Sequence, residues 1–431
     1  MGFENNIPED WIETTLDDVC TKITDGTHST VKDNSNGDCL LLSCKNIKDG
    51  KIIVGENERR IDRSTLEKLR KRTGLQKNDI LLTTVGTIGE VAILKTDEID
   101  FELQRSVAII RVNSNKLLHD YAFYISRSKY FLHQALSRSI GSVQTCLFLG
   151  AIKEIEINLP PLPEQKAIAK VLTAFDEKIE LLQAQNKTLE TMAQTIFKEW
   201  FGKYQIGDEL PEGWRVANIN EFVESSIGGD YGKETTEGDY TEETICLRGT
   251  DLPDMKTGTP KKAPIRFLKA SKLERCKVEN GDIVVEISGG TENQSTGRVM
   301  YINERILSSA NHPMTCVNFC RIIRPLKLEY SYFLYSLFDY LYNRKVFFNW
   351  ENGTTGIKNL NLKALLEDFD LFIPENGDLI LDFNKNVKAS FNKIQSNNSQ
   401  IQSLTKTRDT ILPKLMSGQV RVKNIKHTAD A

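Results

Sequence analysis

The stretch Ile168-Ala169-Lys170-Val171-Leu172-Thr173-Ala174-Phe175-Asp176-Glu177-Lys178-Ile179-Glu180-Leu181-Leu182 places an apolar residue at every seventh position, and the series continues through Leu189 and Ile196. Four residues after each of these come Leu172, Ile179, Asn186, Ala193 and Trp200, so nine of the ten positions are apolar. That pattern puts one apolar seam along a helix and predicts a coiled coil. A second run, shifted by 212 residues, holds Ile380, Val387, Ile394, Ile401 and Arg408, interleaved with Asn384, Phe391, Asn398, Thr405 and Leu412. Its seam is poorer but in phase with the first, and Asn186 and Asn398 fall at equivalent places. A seam asparagine costs stability and fixes register and partner. The alternative is two polar residues facing solvent on slightly rotated helices. One such helix would expose an apolar stripe; two in one chain bury each other, most simply antiparallel. At about 1.5 Å per residue, some 37 residues make a rod of about 55 Å. Gly202 and Gly418 follow the two runs and suit left-handed C-terminal turns, and Pro413 predicts a kink or break in the second.

Outside the heptads the chain is written twice. Pro8-Glu9-Asp10-Trp11 returns as Pro211-Glu212-Gly213-Trp214, and Asn78-Asp79-Ile80-Leu81-Leu82 as Gly281-Asp282-Ile283-Val284-Val285, both shifted by 203. Ile109-Ile110-Arg111 returns as Ile322-Ile323-Arg324, and Ile155-x-Ile157-x-Leu159-Pro160 as Phe369-x-Leu371-x-Ile373-Pro374. The period is far longer than that of a solenoid repeat and marks a duplicated half. Each half begins with short β-like runs such as Asp79–Thr84, Glu90–Leu94 and Val107–Val112, separated by Gly- and Asn-rich turns. An amphipathic helix is expected near Tyr121–Ser137, with its counterpart at Tyr330–Arg344. Each half then reaches proline and passes into its heptads.

Composition sets limits. With 431 residues, 39% of them apolar, the chain fills several cores. Fifty-six Lys+Arg against 59 Asp+Glu leave a net charge of −3, so any nucleic-acid role rests on local patches. Eight cysteines without a CxxC pair and only five histidines make neither a disulfide scaffold nor a zinc site. No apolar run of about 18 residues predicts a membrane span, and the polar N-terminus lacks a signal-peptide core, so a cytoplasmic protein is expected. Walker A, HExxH, nucleophile-elbow and NPPY or DPPY patterns are all missing. Gly86-Thr87-Ile88-Gly89 reads as a turn or bulge, and His28 and His312 as turn-surface histidines.

Positive charge is more informative. Arg59, Arg60, Arg63, Lys68, Arg70, Lys71 and Arg72 face only Asp62 and Glu67 within that segment. The second half answers with Lys261, Lys262, Arg266, Lys269, Lys272, Arg275 and Lys277, and the shift of 203 aligns Arg63 with Arg266 and Arg72 with Arg275. Cations at matching places in two domains suggest two anionic footprints. Phosphates neutralised there would release counterions and make binding steeply salt-dependent.

Together these features resemble the specificity subunits of type I restriction–modification enzymes. Arg408-Asp409-Thr410-Ile411-Leu412-Pro413-Lys414-Leu415-Met416-Ser417-Gly418 is very like their C-terminal signature, Ile196-Phe197-Lys198-Glu199-Trp200-Phe201 resembles the end of their central helix, and Leu159-Pro160-Pro161-Leu162-Pro163-Glu164-Gln165 its start. Asp25-Gly26-Thr27-His28 resembles a motif of their target-recognition domains; the second half has Gly228-Gly229-Asp230 where the first has Asp25-Gly26-Thr27. The resemblance implies an α+β chain of two pseudo-symmetric α/β recognition domains, residues 1–160 and 204–374. Two long helices, 161–203 and 375–431, separate them as an antiparallel coiled coil. It implies a non-catalytic subunit that reads a bipartite, gapped double-stranded DNA target, one half per domain. The helices would set the spacing and dock two methyltransferase subunits, joined by restriction (motor) subunits. S-adenosylmethionine, ATP and Mg would bind those partners, and none of them this chain.

Within each domain, phosphate contacts hold position and a few side chains read bases. Arg59, Arg60, Arg63, Lys71 and Arg72 in the first half, and Lys261, Lys262, Arg266 and Arg275 in the second, are the expected positioning residues. Neutralising Arg63 and Arg72 is expected to lower the salt slope by about one or two. The loops Asp25-Gly26-Thr27-His28 and Gly228–Tyr231 are the candidates for base readout. Three other readings stay open: a specificity subunit of a phage-defence methyltransferase without a motor, a pseudo-symmetric adaptor that binds no DNA, and an enzyme whose site both halves assemble.

Overall fold

A computed structural model of the chain describes residues 7–55, 57–141, 145–256, 263–291, 294–353 and 358–422. The chain forms two compact units, Met1–Glu177 with Thr405–Ala431, and Lys178–Leu404. The first contributes, in chain order, β1 (Ile12–Thr15), β2 (Cys20–Asp25), β3 (Cys39–Leu42), β4 (Arg60–Ile61), α1 (Arg63–Thr73), β5 (Ile80–Thr83), β6 (Val91–Ile93), β7 (Phe101–Leu103), β8 (Val107–Val112), α2 (His119–Ser126), α3 (Lys129–Ser137), β9 (Glu156–Leu159) and the start of α4 (Leu162–Phe201). The second holds the rest of α4, then β10 (Trp214–Asn218), β11 (Val223–Gly228), β12 (Tyr240–Leu247), β13 (Ile265–Lys269), α5 (Ala270–Cys276), β14 (Ile283–Glu286), β15 (Val299–Tyr301), β16 (Met314–Cys316), β17 (Cys320–Pro325), α6 (Ser331–Asn343), β18 (Asp370–Pro374) and most of α7 (Asp378–Met416).

The duplication read from sequence is a duplication of topology. In the first unit the main sheet runs β2–β8–β5–β6, a smaller one β4–β3–β7, and β1 pairs with β9. In the second the corresponding orders are β11–β17–β14–β15, β13–β12–β16 and β10–β18. In each small sheet the inner strand pairs antiparallel on one side and parallel on the other. Strands β5 and β14 are buried at every position because both sheet faces are covered. Their apolar runs are therefore unbroken, where a half-solvated strand would alternate.

The long helices belong to the cores rather than lying on them. In the first unit Ile168 and Leu172 of α4, with Leu415 and Met416 of α7, join Ile80, Ile110, Tyr121 and Phe131. Phe175 is half-buried, and Asp176 beside it accepts from Arg408 Nη1 at 2.6 Å. In the second unit Ile179 and Leu182 meet Ile401 and Leu404. Further along, Phe197 and Phe201 pack on Phe383 with ring centroids 5.7 and 5.6 Å apart. Leu189, Val387, Phe391 and Ile394 line the same core. Within each unit, contacts that climb α4 descend α7, so the helices are antiparallel.

Asn186 and Asn398 do meet: Asn186 Nδ2 donates to Asn398 Oδ1 at 2.7 Å. Asn397, fully buried beside them, donates to Asn186 Oδ1 at 2.8 Å and to Gln185 Oε1 at 2.8 Å. The seam departs from strict heptads at three points. Phe383, not Asn384, is buried, and Asn384 Oδ1 instead accepts from the backbone N–H of Tyr332 near the start of α6. Phe197 is buried while Trp200 is half-buried, because the second core lies around the helix from the coil seam. Arg408, at a seam position, is taken up by ion pairs to Asp176 and Asp409.

Three local expectations are corrected. Helix α7 runs unbroken through Pro413. Gly418 is left-handed at φ 72°, but Gly202 is absent from the positive-φ residues. Its lack of a side chain serves close approach, since a Cβ there would lie 2.9 Å from the Lys198 carbonyl oxygen. The helix expected at Tyr121–Ser137 is two helices, with Ser128 Oγ capping α3 by accepting from Phe131 N–H. Among the described residues no helix is long and apolar enough to cross a membrane.

Candidate nucleic-acid interface

The first candidate loop begins where β2 ends. Asp25, nearly buried, accepts from Arg72 Nη2 at 2.6 Å through one carboxylate oxygen and meets His28 Nε2 at 2.7 Å through the other. Arg72 Nη1 donates to the Gly26 carbonyl at 2.6 Å. Gly26 is pressed against β7: a Cβ there would lie 2.1 Å from the Leu103 carbonyl oxygen, so no side chain fits. Thr27 N–H donates to that carbonyl at 2.7 Å, and Thr27 O accepts from Arg105 N–H at 3.1 Å. The loop is thus bound on both sides. Arg72 reaches it from the last turn of α1, which ends at left-handed Gly74. Lys22 Nζ binds the Arg72 and Thr73 carbonyls there, a cation at the negative end of the helix. A shallow groove runs beside the loop, lined by Thr27, His28, Ser29, Lys68, Leu69 and Arg72.

The second unit builds its loop on the same close approach with different chemistry. A Cβ on Gly229 would lie 1.8 Å from the Cys316 carbonyl oxygen, and Asp230 N–H donates to that oxygen at 2.8 Å. Where the first unit has Asp25, the second has Gly228, and Arg321 Nη1 lies 2.7 Å from where a Cβ would stand. Tyr231 is exposed; Arg266 Nη2 donates to its hydroxyl at 2.9 Å, with the guanidinium 4.9 Å from the ring centroid. Arg266 also pairs with Glu234 at 3.1 Å. A carboxylate stands behind the first loop and a guanidinium behind the second.

The predicted cations divide into braces and free charges. Arg59 pairs with Asp33 at 2.6 Å, and Arg63 with Asp100 at 2.7 Å and Asp38 at 3.2 Å. Arg60 donates to the Gly37 carbonyl at 3.2 Å, and Arg70 to buried Glu102 at 2.9 Å. Lys68 and Lys71 are exposed on α1. Arg275 donates to Ser271 O within its own helix at 3.3 Å; with Gly228 in Asp25's place, no carboxylate there draws it to the loop. Lys261 and Lys262 lie outside the described residues. Strand register also revises one alignment. Cys39 pairs with Ile61 and Thr244 with Arg266, so Arg266 holds the place of Ile61 rather than Arg63. The cause is that β13 extends through Lys269, whereas in the first half helix α1 begins at Arg63.

Residues 8–191 match the family described as type I restriction modification DNA specificity domain. The MjaIX specificity subunit of Methanocaldococcus jannaschii, a type I restriction enzyme component, is 26% identical over 97% of this chain and 95% of its own length. The HindI specificity subunit of Haemophilus influenzae is 22% identical over 81% of this chain and 88% of its own. Over nearly its whole length the chain is similar to the specificity subunits of type I restriction–modification enzymes. The fold agrees: the crystal structure of the M. genitalium type I S subunit superposes with a TM-score of 0.54 at 17% identity, covering 96% of this chain and 98% of that one.

Two features of the chain escaped the sequence reading. The first is a pair of twin buried ion pairs, each bracing one domain. Arg111 holds fully buried Asp79 through two bonds of 2.8 Å, and Arg324 holds Asp282 at 3.1 and 2.9 Å. In each, the Nη2 that binds the carboxylate also donates to an equivalent carbonyl, Gly74 or Lys277. The arginines were visible in the repeated Ile-Ile-Arg triplet, but their partners lie over thirty residues away. The second is the turn joining β7 to β8 and β16 to β17, which exposes Arg105 in one domain and Phe319 in the other. The first turn touches its candidate loop through Arg105 N–H, and the second follows directly on Cys316, whose carbonyl accepts from Asp230 N–H; no local spacing in sequence announces either. All eight cysteines are free, and burial pushes the Cys20 and Cys316 thiols up to about 12, leaving them neutral core groups. Among the described residues no cluster of three or more His, Cys, Asp or Glu is placed to hold a metal.

Proposed function

We propose that this chain is a specificity subunit that reads a bipartite, gapped double-stranded DNA target, one half-site per globular domain, and itself does no chemistry. The helix pair sets the gap and docks two methyltransferase subunits, and restriction subunits join that assembly. S-adenosylmethionine, ATP and Mg belong to those partners in this reading, and the complex works in the cytoplasm. The single observation that carries the proposal is the repeated strand order ending in two loops built on the same glycine-to-carbonyl approach, Gly26 on Leu103 and Gly229 on Cys316. One framework presenting two chemically different loops is what reading two different half-sites requires. Exposed Lys68 and Lys71 flank the first loop as phosphate contacts.

The test is co-expression with the cognate methyltransferase. The purified complex is expected to bind and methylate a discrete set of genomic sites, with affinity falling steeply as salt rises, while the chain alone transfers no methyl group. Binding indifferent to sequence and salt overturns the proposal, as does methyl transfer by the chain alone.

A further inference from the structure

The charge behind each loop fixes the hydrogen-bonding sense of the side chain that projects from it. Asp25 offers its two carboxylate oxygens separately, Oδ1 to Arg72 and Oδ2 to His28 Nε2. A carboxylate only accepts, so Nε2 carries a ring proton, and in the neutral form of the ring Nδ1 is left as an acceptor. The His28 side chain is 56% exposed while that of Asp25 is 11% exposed, so the tethered nitrogen faces inward and the ring opens to solvent. In the second domain the sense is reversed. Arg266 only donates, and Nη2 gives its proton to the Tyr231 hydroxyl oxygen at 2.9 Å. That leaves the Tyr231 hydroxyl proton free to be donated outward.

We propose that His28 and Tyr231 are base-reading residues of opposite polarity: His28 accepts from an exocyclic amino group, adenine N6 or cytosine N4, in the major groove of one half-site, and Tyr231 donates to a major-groove acceptor in the other. This deepens the proposed function and rests on it. The surrounding geometry suits the task. Gly26 and Gly229 admit no side chain, Thr27 is bonded on both sides, and Asp230 N–H is held by Cys316. A reader held this way meets the base with little left to order on binding, and a single hydrogen bond to the base discriminates by about 0.5–1.5 kcal/mol, or roughly 2–13-fold.

The Asp25→Asn variant gives a signature that a merely structural role would not. Arg72 has only donors, so the amide oxygen stays toward Arg72 and the amide NH2 turns to His28. Nε2 then accepts, the ring proton moves to Nδ1, and the reader becomes a donor.

The experiment is selection of bound sequences from a random DNA library by the chain–methyltransferase complex, with melting temperatures confirming that each variant folds. His28→Ala is expected to make one position of one half-site degenerate, and Tyr231→Phe one position of the other. At the His28 position, purine in place of adenine, or zebularine in place of cytosine, removes the amino group. It is expected to weaken wild-type binding about 2–13-fold and to leave His28→Ala binding unchanged. Asp25→Asn is expected to select a different base there. Selected sequences that His28→Ala leaves unchanged, or wild-type binding that tolerates the amino deletion, overturn the inference for His28. Specificity untouched by Tyr231→Phe overturns it for Tyr231. A wild-type complex that selects no sequence at all sinks the proposed function instead.

Discussion

Replacing Arg72 by methionine separates a brace from a phosphate contact. The sequence reading treats Arg72 as a phosphate-neutralising cation, whose loss lowers the salt slope. In the structure its charge is already matched by Asp25 at 2.6 Å, and its second arm holds the Gly26 carbonyl at 2.6 Å. Arg72→Met therefore removes one charge of a neutral pair and two charge-assisted hydrogen bonds, worth at most about 1.5–3 kcal/mol each. The Arg72 side chain is 48% exposed, so solvent screens the pair, and a net loss of about 1–2 kcal/mol of loop order is expected. That corresponds to a fall of roughly 5–30-fold in affinity for the cognate site, with affinity for unrelated DNA nearly unchanged and the salt slope altered by less than about one. The double variant Lys68→Ala/Lys71→Ala is the contrast. It is expected to weaken cognate and unrelated DNA equally and to lower the slope by about 1–2. Fluorescence anisotropy of the complex over a salt series measures both. If Arg72→Met lowers the slope as the lysine variant does and leaves the ratio of cognate to unrelated affinity intact, the bracing argument is wrong.

Gly26→Ala and Gly229→Ala each place a Cβ within 2.1 and 1.8 Å of a carbonyl oxygen; each is expected to erase sequence preference in its own half-site and spare the other, as read by selected-site sequencing. Arg111→Met and Arg324→Met leave Asp79 and Asp282 buried without their guanidinium and are expected to destabilise their domains by about 3–5 kcal/mol each, measured by urea unfolding; a change under about 1 kcal/mol in either would show the pair to be dispensable. Burial raises the Glu190 carboxyl above its ordinary value; Lys256 pulls it down and Asp339 reinforces the rise. A raised acid penalises the fold while ionised, and the penalty fades as pH falls through the raised pKa. Glu190→Gln is therefore expected to raise the melting temperature at pH 7, with the gain shrinking toward pH 4; a loss of stability at pH 7 contradicts that sign.

Periodicity and repetition made most of the architecture legible. The recurrence of Asn78–Leu82 at 281–285 located a strand of each main sheet, and the heptads located both helices. The seam failed where domain cores competed for the helix surface, as at Phe383 and Phe197, which pack on aromatic neighbours outside the coil's period. The first loop was legible as the motif Asp25-Gly26-Thr27-His28 through its resemblance to a known family, and the second through its equivalent place in the repeat. Their wiring was not, since Arg72 and Asp25 lie 47 residues apart and Arg266 and Tyr231 lie 35 apart. Charge counting overestimated the free cations for a related reason: Asp33, Asp38 and Asp100, which pair with Arg59 and Arg63, lie outside the basic segment.

The most direct test of twin readers on one helical frame is methylome sequencing of cells expressing this chain with its methyltransferase. Two short specific blocks separated by a constant unread gap are expected, with methylated adenine in both. Exchanging the second recognition domain for that of a relative should replace one block and keep the other. A contiguous site, or a domain exchange that alters both blocks together, would contradict the account.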